Sequence, residues 1–404
     1  MGLFKNKEAK NALYIALMCS LSYLAVYFAK NILSATTPQL IENGVVTQSS
    51  IGTFSSVYFV CYALGQLVNG MIGDKIKAKY MIGFGLVFAG ISNFLFINFI
   101  FSPIFACIAY ALMGVALSMI YGPMTKTVAE NTSPIYAPRC SLGYTVSSFL
   151  GSPFAGVAAA AFVWKTVFYF NTVALVIMGC ICFIVFMMFE KKGIVKYNQY
   201  DKQKGVKVGL KESVKILVKR QIIKFTIISV VTGVVRTAVV FWLPTYVNQY
   251  LGFSAESSAT VFTIATFIFS ASAIIAVFTY ERLRRNMDLT ILIMFSVSSV
   301  MFLLVYFVKL PMVNIVFLIL AVLSSNCAAS MMWSRYCTGL NDTGLVSAAT
   351  GFLDFMSYLG AAIASNVFAN AVNGIGWGNL ILVWLGLVVI GVLVSLPYEK
   401  MKKH

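Results

Sequence analysis

KTVFYFNTVALVIMGCICFIVFMMF, residues 165–189, decides the fold. Its one charge, Lys165, stands at the first position, and its apolar residues run on without the alternation of a half-buried strand. A hydrocarbon core about 30 Å thick takes about 20 such residues as a helix. In lipid a spanning segment must satisfy its own backbone, so this run reads as a helix. Similar stretches fall at 12–41, 49–73, 79–100, 103–128 and 138–163 before a long break. They resume at 221–250, 257–280, 289–308, 311–335, 345–372 and 377–397. The expected fold class is therefore all-α and integral to a membrane, with twelve transmembrane helices. It divides as 1–190, a bundle of six helices, 191–220, a basic linker, and 221–404, a second bundle of six.

Composition narrows the function classes. Hydrophobic residues make up 60% of the 404, against about 45–50% in soluble domains. Charged residues make up 11%, too few to coat a soluble chain of this length. The net charge of +17 sits in short runs between apolar segments, not along one soluble face, which argues against a nucleic-acid partner. No paired carboxylates, nucleophile–histidine arrangement or phosphate-cradling glycine loop is visible, so no enzyme and no cofactor are expected. The eight cysteines lie nearly all inside apolar stretches, with no CxxC, and the only histidine is His404. They read as small apolar side chains, not as a metal site or a disulfide framework. No cleavable leader pattern is visible at the N-terminus.

Positive charge sets the topology. With the N-terminus inside, one side collects Lys5, Lys7, Lys10, Lys75, Lys77 and Lys79. The same side collects the linker 191–220 with its ten Lys and Arg, then Arg282, Arg284, Arg285 and Lys400, Lys402, Lys403. Only Lys165 and Lys309 stand near helix ends on the other side. Both termini are expected to be cytoplasmic, in a multi-pass protein of the plasma membrane. Within the linker, Leu210, Val214, Leu217 and Val218 give a partly amphipathic stretch; a plain positive-inside connection is the favoured reading.

The halves echo each other. Lys30 and Pro38 in span 1 match Arg236 and Pro244 in span 7, both pairs at an offset of 206 residues. Asp74-Lys75 after span 2 matches Glu281-Arg282 after span 8, and Leu150-Gly151 matches Leu359-Gly360. A parallel repeat of six spans resembles the major facilitator superfamily, whose halves rock about a site near the midplane. Gly70-x-x-x-Asp74-Lys75-x-x-x-Lys79 resembles that superfamily's signature between spans 2 and 3, with lysine where arginine is usual. The resemblance implies a cytoplasmic gate built from Gly70, Asp74, Lys75 and Lys79, with a degenerate copy at Glu281 and Arg282.

Two cations stand deep in apolar sequence. Lys30 is the only charge between Lys10 and Glu42, and Arg236 the only one between Lys224 and Glu256. A charge at the bilayer centre costs about 2.5–3.5 kcal/mol even on lenient insertion scales. Two of them at equivalent places in the halves would face a shared cavity, an arrangement that suits an anion neutralising both. The competing reading makes each a structural ion-pair partner or a snorkelling side chain. One acid, Asp354, is comparably deep, and one acid cannot neutralise two cations. Tyr23 and Tyr27 share a helical face with Lys30. Tyr62, Gln66 and Asn69 form a polar stripe in span 2, Asp354 and Tyr358 lie one turn apart in span 11, and Ser324, Ser325 and Asn326 sit mid-helix in span 10.

Tyr23-x-x-x-Tyr27-x-x-Lys30, with Pro38 downstream, and Arg236-x5-Trp242-x-Pro244-Thr245-Tyr246 resemble the organophosphate:phosphate antiporters. That family includes the glycerol-phosphate and hexose-phosphate carriers. Tyr62 twelve residues before Asp74, and Gly351-Phe352 followed by Tyr358-Leu359-Gly360, extend the match. The resemblance implies alternating-access exchange of organic for inorganic phosphate, without cofactor or metal. It also implies that Lys30 and Arg236 clamp the anion while Tyr23, Tyr27, Tyr62 and Tyr358 line the cavity; Asn326 joins them from its mid-helix place. Four features depart from the family: Lys30 replaces an arginine, Asn31 follows it, span 5 has no histidine, and Asp354 is extra. A single ammonium in place of a planar fork weakens the field of the site.

Asp354 admits a proton-coupling role, a counter-ion role, or a packing role. The function expected is a secondary active transporter, most simply for a small organic anion, by phosphate exchange or proton coupling. Its partners are then that anion and the bilayer, in a monomer. The alternatives are a proton-driven exporter of lipophilic or cationic compounds and a transporter-like membrane sensor.

Overall fold

The computed structural model describes residues 7–72, 76–133, 135–197, 210–343 and 345–396, and every regular element among them is helical. The first half supplies α1 (Lys7–Glu42), α2 (Gln48–Ile72), α3 (Ala78–Asn98), α4 (Pro103–Ser118), α5 (Tyr121–Asn131), α6 (Ala137–Ala161) and α7 (Trp164–Lys191). Next come α8 (Leu210–Lys219), α9 (Ile222–Gly233), α10 (Val240–Gln249), α11 (Ala255–Phe269) and α12 (Ser272–Arg282). The chain continues through α13 (Met287–Phe307), α14 (Pro311–Met331) and α15 (Val346–Ser395).

Local chemistry sets several boundaries. Pro103 and Pro311 open α4 and α14, where a missing backbone N–H costs nothing. The Asn286 side chain accepts the Leu289 N–H at 3.0 Å and caps α13. Gly376, at φ 75° and ψ 167°, breaks the long α15 into two helices. Ten stretches among the described residues are long and apolar enough to cross a membrane, α15 counting once although it holds that break. Apolar Leu150–Ala161 within α6 is a shorter one. α8 exposes Val214 and Val218.

The chain forms two compact units, Met1–Gln203 with Ser254–Phe267 and Lys204–Phe253 with Ile268–His404. In the first, α1 packs on α6, α3 on α7 and α2 on α4. A Cβ on Gly151 of α6 would lie 2.5 Å from the Cβ of Tyr27 and 2.8 Å from the Phe28 nitrogen. Only glycine lets the two backbones come that close, the usual device where lipid offers no hydrophobic drive between helices. Phe54, Tyr58, Tyr62, Phe96, Tyr110 and Phe168 fill an aromatic core. In the second unit α9 packs on α15 and α13 on α14. Buried donors there find carbonyls: Ser229 Oγ donates to Leu353 O at 2.6 Å, and Trp242 Nε1 to Ser365 O at 3.1 Å.

Candidate functional site

In the first unit α1 carries Lys30 half-buried, with its Nζ 5.4 Å from the ring centroid of Tyr27 and 4.9 Å from that of Tyr62. Both distances suit cation–π attraction, so α1 and α2 together hold the ammonium against aromatic rings. These contacts stabilise the cation through the negative faces of the ring quadrupoles. Tyr23, buried on the same face, lies 5.0 Å from Tyr27, edge to face. Four of the residues expected in the site, Tyr23, Tyr27, Lys30 and Tyr62, are thus brought together.

Two more tyrosines complete the cluster and were not singled out from sequence. Tyr121, at the break between α4 and α5, lies 5.6 Å from Tyr23. Tyr144 of α6 lies 6.1 Å from Tyr23 and 6.4 Å from Tyr121, and its hydroxyl donates to Ser141 Oγ at 2.9 Å. The spacing held a usable signal. Tyr144 stands seven residues before Gly151, two turns along the face that packs on Tyr27.

In the second unit Arg236 sits, half-buried, inside a π-helical turn spanning Val234–Val239. Pro244 follows in α10 and has no N–H to donate to the carbonyl one turn back. π-Helical turns are rare, and they concentrate at functional sites. The turn packs against α15, which carries Asp354 and Tyr358. Gly233, immediately before it, meets Ser357, the neighbour of Tyr358. Tyr358 is buried and Asp354 half-buried. Asn326 of α14 is buried, and its Oδ1 has no hydrogen-bond partner. α14 also packs on α9 and on the π-helical turn, so the helices that carry Asn326 and Tyr358 both pack against the turn that carries Arg236.

The expected gate residues divide. Lys79 lies 2.5 Å from Glu190 at the end of α7, and Lys77 pairs with the same carboxylate. That carboxylate pushes the Lys77 ammonium pKa upward. Asp74 and Lys75 lie outside the described residues, as do the surroundings of Gly70. Glu281 and Arg282 are exposed at the end of α12, where the Arg282 guanidinium stands 5.0 Å from the Phe278 ring. Exposed ion pairs contribute little and shielded ones more. Lys79→Gln is therefore expected to lower the melting temperature more than Lys77→Gln, their side chains being 10% and 46% exposed. Melting curves of the two purified variants check the order. Among the described residues no three His, Cys, Asp or Glu side chains gather as a metal site.

The profile of the Major Facilitator Superfamily matches residues 19–365. The membrane sensor protein UhpC of Escherichia coli (strain K12) is 24% identical, covering 95% of this chain and 91% of that protein. The phosphoglycerate transporter protein of Salmonella typhimurium is 22% identical, covering 91% and 85%. Among solved structures, a bacterial homologue of the human lysosomal transporter Spinster, inward-facing and unoccupied, superposes with a TM-score of 0.75. It is 10% identical, covers 95% of this chain and 96% of that one, and speaks for the fold alone.

Proposed function

The chain belongs to the Major Facilitator Superfamily, and from that premise we propose that it carries a small organic anion across the membrane by alternating access. It is a multi-pass protein of the plasma membrane and a transporter, not an enzyme. The finer architecture belongs to the proposal: twelve spans in two bundles of six, 1–190 and 221–404, joined by the basic linker 191–220, with both termini cytoplasmic and the chain monomeric.

The observation that carries the reading is Lys30 against the rings of Tyr27 and Tyr62, matched in the repeat by Arg236 in its π-helical turn. Proteins keep charges in apolar spans for ion or substrate pathways. The phosphoglycerate transporter, similar over most of its length, is named for a phosphorylated organic anion. Tyr23, Tyr27, Tyr62, Tyr358 and Asn326 are proposed to line the path. Gly70, Asp74, Lys75, Lys79, Glu281 and Arg282 are proposed to work the gate, with Glu190 now added as the partner of Lys79.

Asp354, half-buried one turn before Tyr358 on α15, is proposed as a proton-coupling carboxylate or a counter-ion. Liposomes holding the purified protein and loaded with a labelled phosphorylated or carboxylated anion test the reading. Unlabelled anion outside should accelerate efflux, and Lys30→Gln should slow it about tenfold, the effect of about 1.4 kcal/mol. Efflux of lipophilic cations, with none of anions, would replace the reading by that of a cation exporter.

A further inference from the structure

We propose that a cavity at one end of the first unit, between the start of α1 and the end of α7, binds an anionic phospholipid. Its phosphate is held by Lys7, Lys10 and Lys192, and its acyl chains lie along the apolar faces of the same two helices. The inference rests on the membrane-spanning fold and is independent of the transported cargo.

The cavity measures about 550 Å³. Lys7, Lys10, Asn11 and Tyr14 contribute to it from α1, and their spacing of three, four and seven residues puts them on one helical face. The chain turns back after α7 at Gly193, φ 67°, with the Ile194 N–H donating to the Phe189 carbonyl at 2.8 Å. That reversal brings Lys192 and Ile194 to the same cavity. Its floor is apolar: Tyr14 stacks on Phe189 at 6.3 Å with the rings 19° apart, and Met188 lies beside them. Lys10 Nζ stands 5.8 Å from the Tyr14 ring, so its stem covers apolar surface while its charge faces the rim.

Among the described residues no acid lines the cavity. Glu190 is engaged by Lys77 and Lys79, and neither it nor Glu8 lines the cavity. Three ammonium groups and an amide therefore ring an apolar floor, a donor set that matches a phosphodiester headgroup.

The floor also continues. On α1, Tyr14, Leu17 and Leu21 prolong the face of Lys10 in steps of three and four. On α7, Met188, Ile184, Ile181 and Ile177 run back in the same way. These seven side chains are between 38% and 53% exposed. The two helices stay in contact below them, with Ser22 Oγ 2.9 Å from Cys182 Sγ. A free phosphate would use the lysines and leave the floor and both apolar stripes bare; a phospholipid covers all three. Basic pockets between transmembrane helices on the cytoplasmic side hold anionic headgroups in this manner.

Native mass spectrometry of the full-length protein in detergent, titrated with phosphatidylglycerol, tests the site. The triple variant Lys7→Gln/Lys10→Gln/Lys192→Gln is expected to bind the lipid at least tenfold more weakly. The charge-matched control Lys211→Gln/Lys215→Gln/Lys219→Gln on α8 should bind as the wild type does. Leu17→Gln/Ile181→Gln should weaken binding with all three lysines in place. Melting curves verify that each variant is folded, and Lys10→Gln alone, expected to bind severalfold more weakly, serves if the triple variant is not. Undiminished binding by the lysine variants, or equal binding of phosphatidylcholine, overturns the proposal. Full displacement by millimolar inorganic phosphate, with no effect of the Leu17 and Ile181 changes, also overturns it by showing a simple anion site.

Discussion

Arg236→Ala is expected to reduce anion exchange at least about thirtyfold while leaving the protein inserted and folded. Removing one partner of a buried, hydrogen-bonded charge pair costs about 2–5 kcal/mol. Each 1.4 kcal/mol is a factor of ten, so about thirtyfold marks the lower end. The expected loss exceeds that of Lys30→Gln for two reasons. A guanidinium meets a carboxylate or phosphate through two parallel donors, whereas an ammonium meets it as a point charge. The π-helical turn at Val234–Val239 also widens the backbone at this one place on the helix, a local cost that the fold retains where Arg236 stands. Arg236→Lys separates charge from geometry: it should recover part of the exchange and not all of it. Wild-type exchange by Arg236→Ala, with insertion verified, would remove Arg236 from the transport path.

The helices were legible from sequence because an apolar run in lipid has no other stable state. The quoted stretch 165–189 is a helix throughout, inside α7. Details of backbone pairing were not legible. The run 103–128 reads as one continuous span, yet the chain breaks at Met119 and Ile120 between α4 and α5, and the break sets Tyr121 beside Tyr23. Nothing in apolar periodicity distinguishes a π-helical turn from an α-helical one, since the change lies in which carbonyl each N–H meets. The charges Lys30 and Arg236 stood out because apolar sequence surrounds them. Glu190 did not: it closes α7 among ordinary terminal charges, and its partner Lys79 is 111 residues away. Gap positions fared better, since the space left at 373–376 between two apolar runs contains the one residue, Gly376, with a non-helical conformation inside α15.

Gly233→Ala is expected to destabilise the second unit although it adds one methyl group. A Cβ there would lie 2.3 Å from Ser357 Oγ, 2.5 Å from the Ser357 carbonyl oxygen and 2.7 Å from its Cα. The hydroxyl can rotate away; the carbonyl and Cα cannot move without shifting α15. That shift would pull against the Ser229–Leu353 hydrogen bond one turn earlier and the Trp242–Ser365 bond further on. Forcing a methyl into such a contact costs about 1–3 kcal/mol. Gly386→Ala is the control. It lies on α15 beyond the break at Gly376, with nothing within 4 Å of its Cβ position. There alanine should hold the melting temperature or raise it, because glycine in a helix interior is about 0.5–1 kcal/mol less favourable than alanine. Gly233→Ala should lower it and also slow exchange, since Arg236 follows three residues later in the π-helical turn that packs against the shifted α15. The two glycines thus predict opposite signs for one chemical change. Equal melting curves for both variants would show that the closeness of α9 and α15 at Gly233 carries no energetic weight.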